Sequence, residues 1–213
     1  MYKNILFDFD GTIFDTSIGI VNATKYTLDK FGINYSDINL NSFIGPPLQD
    51  SFRDFCGLKD DDVLHAIKEF RIYYKEKGLY ESVLYNGIEN VIKTLVNKDY
   101  DLFIASSKPT LFIENLLRKN NLIDYFKYIS GSPIDGKGYS KEKVISDVIK
   151  KYNLKKDETI MIGDTKFDII GAKQNQVNSI GVLYGLGTYE ELYQQKPEFI
   201  AKNSFDILNI ILD

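Results

Sequence analysis

The fold of this chain is decided by one stretch near its start, Ile5-Leu6-Phe7-Asp8-Phe9-Asp10-Gly11-Thr12. Its apolar residues form the short continuous run that a buried strand of a parallel sheet requires. Two carboxylates interrupt the end of this run, and burying unpaired like charges close together is costly. A strand end with two solvated aspartates is the alternative. With Gly-Thr directly after it, the pattern favours a cation site of the Mg²⁺ kind, at the place where open α/β sheets bind ligands.

Composition limits the classes of protein to which the chain can belong. Its 213 residues suit one domain with a large insertion, or one large and one small domain. A net charge of −4 argues against broad binding of nucleic acid or of anionic membranes. Cys56 is the only cysteine, which excludes a disulfide framework. The chain has no apolar run of 18 residues and no room for a signal peptide before the first strand, so we expect a cytoplasmic protein.

Periodicity divides the chain into two regions. Helical spacing of apolar residues, such as Ile20, Ala23 and Leu28, dominates residues 15–83, and no strand pattern interrupts it. From Asn86-Gly87 onward, helix and strand patterns alternate, which indicates right-handed crossovers and a parallel sheet. We therefore predict an α/β fold: a Rossmann-like parallel sheet with helices on both faces, formed by residues 1–14 and 84–213. Residues 15–83 form an inserted, all-helical cap subdomain.

The elements predicted after the insertion are short and regular. Strands are predicted at 102–105, 128–129, 159–162 and 179–183, and helices at 88–97, 109–120, 141–152, 167–175, 190–194 and 205–212.

Polar side chains follow the strands that the pattern places in the core. Asp8 and Asp10 end the first strand, Ser106-Ser107-Lys108 ends the second, and Gly163-Asp164 ends the fourth. The carboxyl ends of parallel strands meet at one crevice, so we expect these groups to share a small volume. Acids with a bound Mg²⁺, together with Ser and Lys donors around an anion, suit phosphoryl transfer. In such a site an Asp can be the nucleophile and form an aspartyl-phosphate.

The chain resembles the haloacid dehalogenase-like phosphatases with a helical cap, in particular the phosphoglycolate-phosphatase-like branch. Asp8-Phe9-Asp10-Gly11-Thr12 is similar to the first family motif, Ser106 to the second, a lysine near 141 to the third, and 163–168 to the fourth. The resemblance covers almost the whole length. Ser107 stands where relatives often carry Asn, and this departure affects the expected substrate contact of that residue.

The resemblance implies a role for each matching residue. Asp8 attacks phosphorus, and Asp10 protonates the leaving oxygen and later activates water. Ser106 binds a phosphoryl oxygen, and Lys141 neutralises charge. The implied metal is Mg²⁺, and its expected site residues are Asp8, Asp10, Asp164 and Asp168. The expected substrate contacts are Gly11, Thr12, Ser107 and, from the rigid Gly45-Pro46-Pro47-Leu48 loop of the insertion, Pro47.

Several of these assignments leave alternatives open. Lys137 competes with Lys141 for the third motif, and Ser106 also reads as a residue that caps the next helix. Asp168 forms a capping-box pattern with Thr165, so it either ligates the metal or supports its ligands. The glycines at 181, 185 and 187 lack the Lys-Ser/Thr end of a phosphate loop and are interpreted as a connection to a helix starting after Thr188.

The function expected from this sequence is Mg²⁺-dependent hydrolysis of a small phosphorylated metabolite, of the phosphoglycolate or nucleoside monophosphate type. The alternatives are a β-phosphoglucomutase-like phosphosugar mutase and a pyrophosphatase. A signalling receiver domain also phosphorylates an Asp, but it is about half as long and has no helical insertion. The sequence does not indicate the oligomeric state.

Overall fold

The structure, a computed structural model, describes residues 1–44, 46–134 and 139–213, and it divides into two compact units. The first unit combines Met1–Asp15 with Leu84–Asp213, and the second is Thr16–Val83. The function of the second unit as a cap stays a prediction. No helix among the described residues is long and apolar enough to span a membrane.

The first unit is built on a six-stranded sheet with the order β5-β4-β1-β6-β7-β8, and every neighbouring pair in it is parallel. Two short strands, β2 and β3, form a separate two-stranded sheet. The strands are β1 (Asn4–Phe7), β2 (Phe14–Asp15), β3 (Val83–Leu84), β4 (Asp101–Pro109), β5 (Tyr128–Ser132), β6 (Thr159–Gly163), β7 (Asn178–Val182) and β8 (Phe199–Ala201).

The α-helices of the described residues are distributed over both units. Those of the second unit are α1 (Ser17–Lys30), α2 (Leu48–Cys56) and α3 (Asp60–Glu76). Those of the first unit are α4 (Ile88–Asn97), α5 (Thr110–Lys119), α6 (Lys141–Tyr152), α7 (Lys166–Asn175), α8 (Tyr189–Gln194) and α9 (Ser204–Leu212). The α/β class with a parallel sheet and covering helices is thereby confirmed.

The core of the first unit forms where α6 and α7 cover the sheet. All four residues of β1 are buried, as expected for a central strand covered on both faces. Leu6 packs into a buried cluster whose other members are Phe103, Ala105, Val144, Ile145, Val148, Met161, Ala172 and Val177. This packing fixes the ends of β1, β4 and β6 relative to the start of α6.

The second unit has a small core of its own, in which aromatic rings are prominent. Phe52 of α2 is fully buried and contacts Phe43 and Phe70 edge to face. Lys30 of α1 pairs with Glu69 of α3 at 2.9 Å. His65 lies on α3 with an exposed side chain, 3.6 Å from Glu69.

Candidate active site

The register of the sheet brings the polar ends of three strands together. Phe7, the last residue of β1, lies beside Ile104 of β4 and Ile162 of β6. The Asp8 N–H continues this pairing by donating to the Ile162 carbonyl at 2.8 Å. Asp8 and Asp164 directly follow β1 and β6, and Ser106 lies within β4, two residues after Ile104. All three therefore lie at one edge of the sheet, as the sequence predicts for parallel strands.

Lys141 connects two buried carboxylates. Its Nζ lies 2.6 Å from Oδ1 of Asp8 and 2.8 Å from Oδ1 of Asp168. Burial by itself would lower the pKa of Lys141, but the Asp168 and Asp8 carboxylates raise it overall, which keeps the ammonium charged. Lys141, one of the two candidates for the third-motif lysine, thus lies against two of the buried carboxylates. Lys137, the alternative, lies outside the described residues.

Asp168 joins the start of α7 to this cluster. Its Oδ2 accepts hydrogen bonds from the Thr165 N–H at 3.0 Å and the Thr165 hydroxyl at 2.8 Å. The predicted capping box at the start of α7 is therefore present. Because Oδ1 pairs with Lys141, both carboxylate oxygens of Asp168 already have partners.

Asp164 is fully buried and is held by two hydrogen bonds. The Thr12 hydroxyl lies 3.1 Å from Oδ1, and the Leu186 N–H donates to Oδ2 at 2.8 Å. Burial and the neighbouring Asp168 and Asp8 carboxylates raise the pKa of Asp164 to about 8. Lys141 opposes this shift, but its effect is smaller than those of burial and of the two carboxylates.

The three buried carboxylates fit a hard divalent cation. One oxygen from each of Asp8, Asp164 and Asp168 lies within 4.8 Å of the others. Within the described part of the chain, Lys141 pairs with Asp8 and Asp168, but no lysine or arginine pairs with Asp164. Oxygen donors with excess negative charge are the donor set that Mg²⁺ prefers.

Asp10 contacts Lys108, which the sequence places among the polar groups of the crevice without assigning it a role. Nζ of Lys108 lies 2.9 Å and 3.1 Å from the two Asp10 carboxylate oxygens, and the Lys108 side chain is only 4% exposed. Lys108 directly follows Ser106-Ser107, so its place after the strand predicted at 102–105 was the available signal. That it pairs with Asp10, 98 residues away, depends on the sheet order.

The two serines that precede Lys108 differ in exposure. Ser106 is buried within β4, and its Oγ accepts from the Lys108 N–H at 3.3 Å. The residue preceding α5 is Pro109, so the interpretation of Ser106 as the cap of that helix is wrong. Ser107 is exposed. The substrate contacts expected of Ser106 and Ser107 stay predictions.

The Gly-Thr pair after Asp10 packs against Asp164. Gly11 has φ +83°, and a Cβ there would lie 2.1 Å from Oδ2 of Asp164, so a larger residue does not fit. Thr12 is fully buried and directs its hydroxyl to the same carboxylate. Pro47, the fourth expected substrate contact, precedes α2 in the second unit, and Gly45 lies outside the described residues.

Comparison with known proteins identifies relatives over nearly the whole chain. The 5'-nucleotidase of Pseudomonas aeruginosa is 36% identical over 197 residues, which cover 92% of this chain and 89% of that protein. Pyrophosphatase PpaX of Listeria monocytogenes is 28% identical, and the match covers 98% of this chain and 96% of that protein. Phosphoglycolate phosphatase of Vibrio vulnificus is 26% identical, and the match covers 99% of this chain and 96% of that protein.

Solved structures agree with this grouping. The crystal structure of a predicted phosphatase from Clostridium acetobutylicum has a TM-score of 0.91 and 40% identity, covering 100% of this chain and 99% of that chain. The family model described as haloacid dehalogenase-like hydrolase matches residues 5–182. The chain therefore belongs to the haloacid dehalogenase-like hydrolase family, and the prediction of a phosphatase of that superfamily is confirmed.

Proposed function

We propose that this protein is a Mg²⁺-dependent phosphomonoester hydrolase that acts on a small phosphorylated metabolite through an aspartyl-phosphate. The observation that carries the proposal is the buried pairing of Asp8 with Lys141, beside Asp164 and the Asp10–Lys108 pair. This arrangement supplies a carboxylate nucleophile, a proton-transferring carboxyl group two residues away and positive charge for an anionic group.

The proposed first step transfers the phosphoryl group to Asp8. A carboxylate oxygen of Asp8 forms a bond to phosphorus while the bond from phosphorus to the leaving oxygen breaks. Asp10 donates its proton to the leaving oxygen, so the product departs as an alcohol. Lys141 contacts Oδ1 of Asp8, which leaves Oδ2 as the attacking atom in this proposal.

The second step regenerates the enzyme. Asp10, now a carboxylate, takes a proton from water, whose oxygen attacks phosphorus and breaks the bond to Asp8. Inorganic phosphate leaves, and Asp10 has recovered its proton. Lys108 holds Asp10 through both carboxylate oxygens, and we assign it the role of positioning that carboxyl group.

In this proposal Mg²⁺ would be held by Asp8 and Asp164 and, as the family resemblance implies, by the backbone carbonyl of Asp10. Asp168 has partners for both oxygens, so we assign it to support Lys141 and the start of α7 rather than to direct ligation. When bound, Mg²⁺ offsets the negative charges of the carboxylates and of the phosphoryl group.

The substrate class is proposed from the relatives. The most similar curated relative reported above is a 5'-nucleotidase, so nucleoside monophosphates come first and phosphoglycolate second. The resemblance to a pyrophosphatase makes pyrophosphate the other candidate. Gly11, Thr12, Ser107 and Pro47 stay the predicted substrate contacts.

The test is phosphate release from a panel of these compounds with and without Mg²⁺. We expect Mg²⁺-dependent release from at least one nucleoside monophosphate or from phosphoglycolate, and slower release from pyrophosphate. Release that is unaffected by chelation, or faster from pyrophosphate than from any monoester, would contradict the proposal.

The two aspartates of the first motif should respond differently to amide substitution. Asp8→Asn should abolish phosphate release, because a neutral amide does not attack phosphorus. Asp10→Asn should lose the general acid–base contribution in both steps, about 10²–10⁴-fold, while Asp8 can still form the phosphoenzyme slowly. Turnover and phosphoenzyme trapping measure the two effects, and wild-type turnover by a purified Asp8→Asn protein would refute the assignment.

The mutase alternative is tested with β-glucose 1-phosphate and a trace of the 1,6-bisphosphate. A mutase must hold a second phosphate, for which arginine is the suited residue. This chain has three arginines, Arg53, Arg71 and Arg118, and Leu48 lies near the place where the resemblance implies a mutase arginine. We therefore expect phosphate release to exceed formation of glucose 6-phosphate.

A further inference from the structure

The segment 184–187, between β7 and α8, surrounds the buried Asp164. A Cβ on Gly185 would lie 2.3 Å from Cβ of Asp164 and 2.3 Å from the Gly11 carbonyl oxygen. A Cβ on Gly187 would lie 2.0 Å from the Asp164 carbonyl oxygen. Real Cβ atoms do not approach other atoms this closely, so the segment can lie against Asp164 only because both residues are glycines.

The same segment binds Asp164 by a hydrogen bond. The Leu186 N–H donates to Oδ2 at 2.8 Å, while the Thr12 hydroxyl contacts Oδ1 at 3.1 Å. Each oxygen of an ionised carboxylate has about two acceptor positions. Each oxygen of Asp164 therefore retains one acceptor position after these contacts. Leu186 and Thr12 fix the orientation of the carboxylate and thereby the direction of the remaining acceptor positions.

Tyr184 links the segment to the loop that carries the nucleophile. Its hydroxyl donates to the Thr12 carbonyl oxygen at 3.0 Å, and its ring contacts Tyr85 with centroids 5.0 Å apart. Thr12 is thus held through its carbonyl by Tyr184 and contacts Asp164 through its hydroxyl. The loop after β1 and the loop after β6 are connected through this one segment.

We infer that Tyr184, Gly185 and Leu186 position Asp164 for the divalent cation, and that Tyr184 and Gly185 are positioning residues for metal binding. The inference rests on the proposed function, because it assumes that a cation binds at Asp164. Residues outside the ligand set typically change metal affinity by about 10–100-fold when substituted. A segment that only closes the turn to α8 would affect folding stability and leave metal affinity unchanged.

The test measures Mg²⁺ binding by calorimetry on purified, metal-free protein, together with the shift in melting temperature that Mg²⁺ causes. Tyr184→Phe removes only the hydroxyl, and Gly185→Ala introduces the Cβ that meets Asp164. We expect both to weaken Mg²⁺ binding by about 10–100-fold. The Mg²⁺ concentration for half-maximal phosphate release should rise in the same proportion, and kcat at saturating Mg²⁺ should recover in Tyr184→Phe.

Two matched controls separate this effect from general destabilisation. Tyr152→Phe removes another tyrosine hydroxyl of the first unit that donates to a backbone carbonyl, that of Lys127 at 2.8 Å. Gly181→Ala adds a Cβ in β7 whose nearest atoms are side-chain ends of Ile200 and Leu192 at 3.2–3.5 Å. Both controls should bind Mg²⁺ with wild-type affinity.

The outcomes distinguish this inference from the proposed function. If the wild-type protein binds no Mg²⁺, the proposed cation site fails and the inference falls with it. If the wild type binds Mg²⁺ and Tyr184→Phe binds it equally well, the inference alone is overturned, even where Gly185→Ala fails to fold. Equal weakening in Tyr184→Phe and Tyr152→Phe would also overturn it.

Discussion

At the scale of single residues, the site is determined by which carboxylate oxygens already have partners. Both oxygens of Asp168 are occupied, by Lys141 and by Thr165. Asp164 has hydrogen bonds but no ion pair among the described residues. Two buried aspartates with similar burial therefore have different capacities to bind a cation.

This difference predicts unequal effects of amide substitution on the metal requirement. Asp164→Asn removes a proposed ligand and should raise the half-saturating Mg²⁺ concentration more than Asp168→Asn does. Asp168→Asn should cost about 10–100-fold, the range for groups that support ligands. Mg²⁺ titration of phosphate release measures both, and a larger effect for Asp168→Asn would reverse the assignment of ligand and support.

Lys108 should act through Asp10. Lys108→Met removes both contacts to the Asp10 carboxylate. It should lower kcat by less than the full loss of acid–base catalysis, which is about 10²–10⁴-fold. In an Asp10→Asn background the same change should cost much less, because groups that act as a unit are not additive. Lys143→Met, at an exposed lysine paired with Asp147, is the control. If the losses in kcat from the two substitutions were additive, Lys108 would act independently of Asp10 and the prediction would be wrong.

At the scale of helices and strands, the local sequence pattern predicted most elements, but it did not predict the shortest strand or the contacts between distant segments. The bounds of α4 and α6 agree with the prediction, since each has clear periodicity and a defined start. The edge strand β8, Phe199–Ala201, was missed because three residues carry no readable period. Gly185 and Gly187 were correctly placed in a loop, but the atoms they accommodate belong to Asp164, some 20 residues earlier. Such contacts cannot be read from local sequence.

The close approach of α6 and α7 at Gly171 should be needed for Lys141. A Cβ on Gly171 would lie 2.9 Å from Cγ of Lys141 and 3.1 Å from the Glu142 backbone nitrogen. In an open helix, Gly→Ala gains about 1 kcal/mol. Here we expect Gly171→Ala to lower the free energy of unfolding by about 1–3 kcal/mol, the usual cost of overpacking. Displacement of Lys141 should also lower kcat.

Thermal unfolding and steady-state kinetics check the effect at Gly171. Gly181→Ala serves as the control, because its added Cβ meets only side-chain ends. A Gly171→Ala protein that is more stable than wild type and equally active would show that α6 and α7 do not need this contact.

At the scale of the whole molecule, charge is distributed unevenly between surface and site. The chain carries a net charge of −4, so an anionic substrate must be attracted by local cations such as Lys108 and Lys141 rather than by the overall field. Buried carboxylates without matching cations make the folded state sensitive to pH, and a bound cation removes that sensitivity.

This argument gives the sign of a pH effect on stability. The pKa of Asp164 is raised to about 8 in the folded, metal-free protein, against about 3.9 for an unperturbed Asp. The folded state therefore holds a proton that the unfolded state releases. The stability that this proton provides is complete below about pH 4 and is lost as pH rises towards about 8. In the proposed function Mg²⁺ binds the ionised carboxylate, so its stabilising effect should increase over the same interval.

We expect the melting temperature of the metal-free wild type to fall between pH 5.5 and pH 8.5, and the increase caused by Mg²⁺ to grow over this range. Differential scanning calorimetry of chelator-treated protein measures both quantities. Asp164→Asn cannot titrate at this position, so its melting temperature should depend less on pH, and Mg²⁺ should raise it little. A metal-free wild type whose melting temperature rises through this interval would contradict the prediction, because the charge on Asp164 would then have an unrecognised partner.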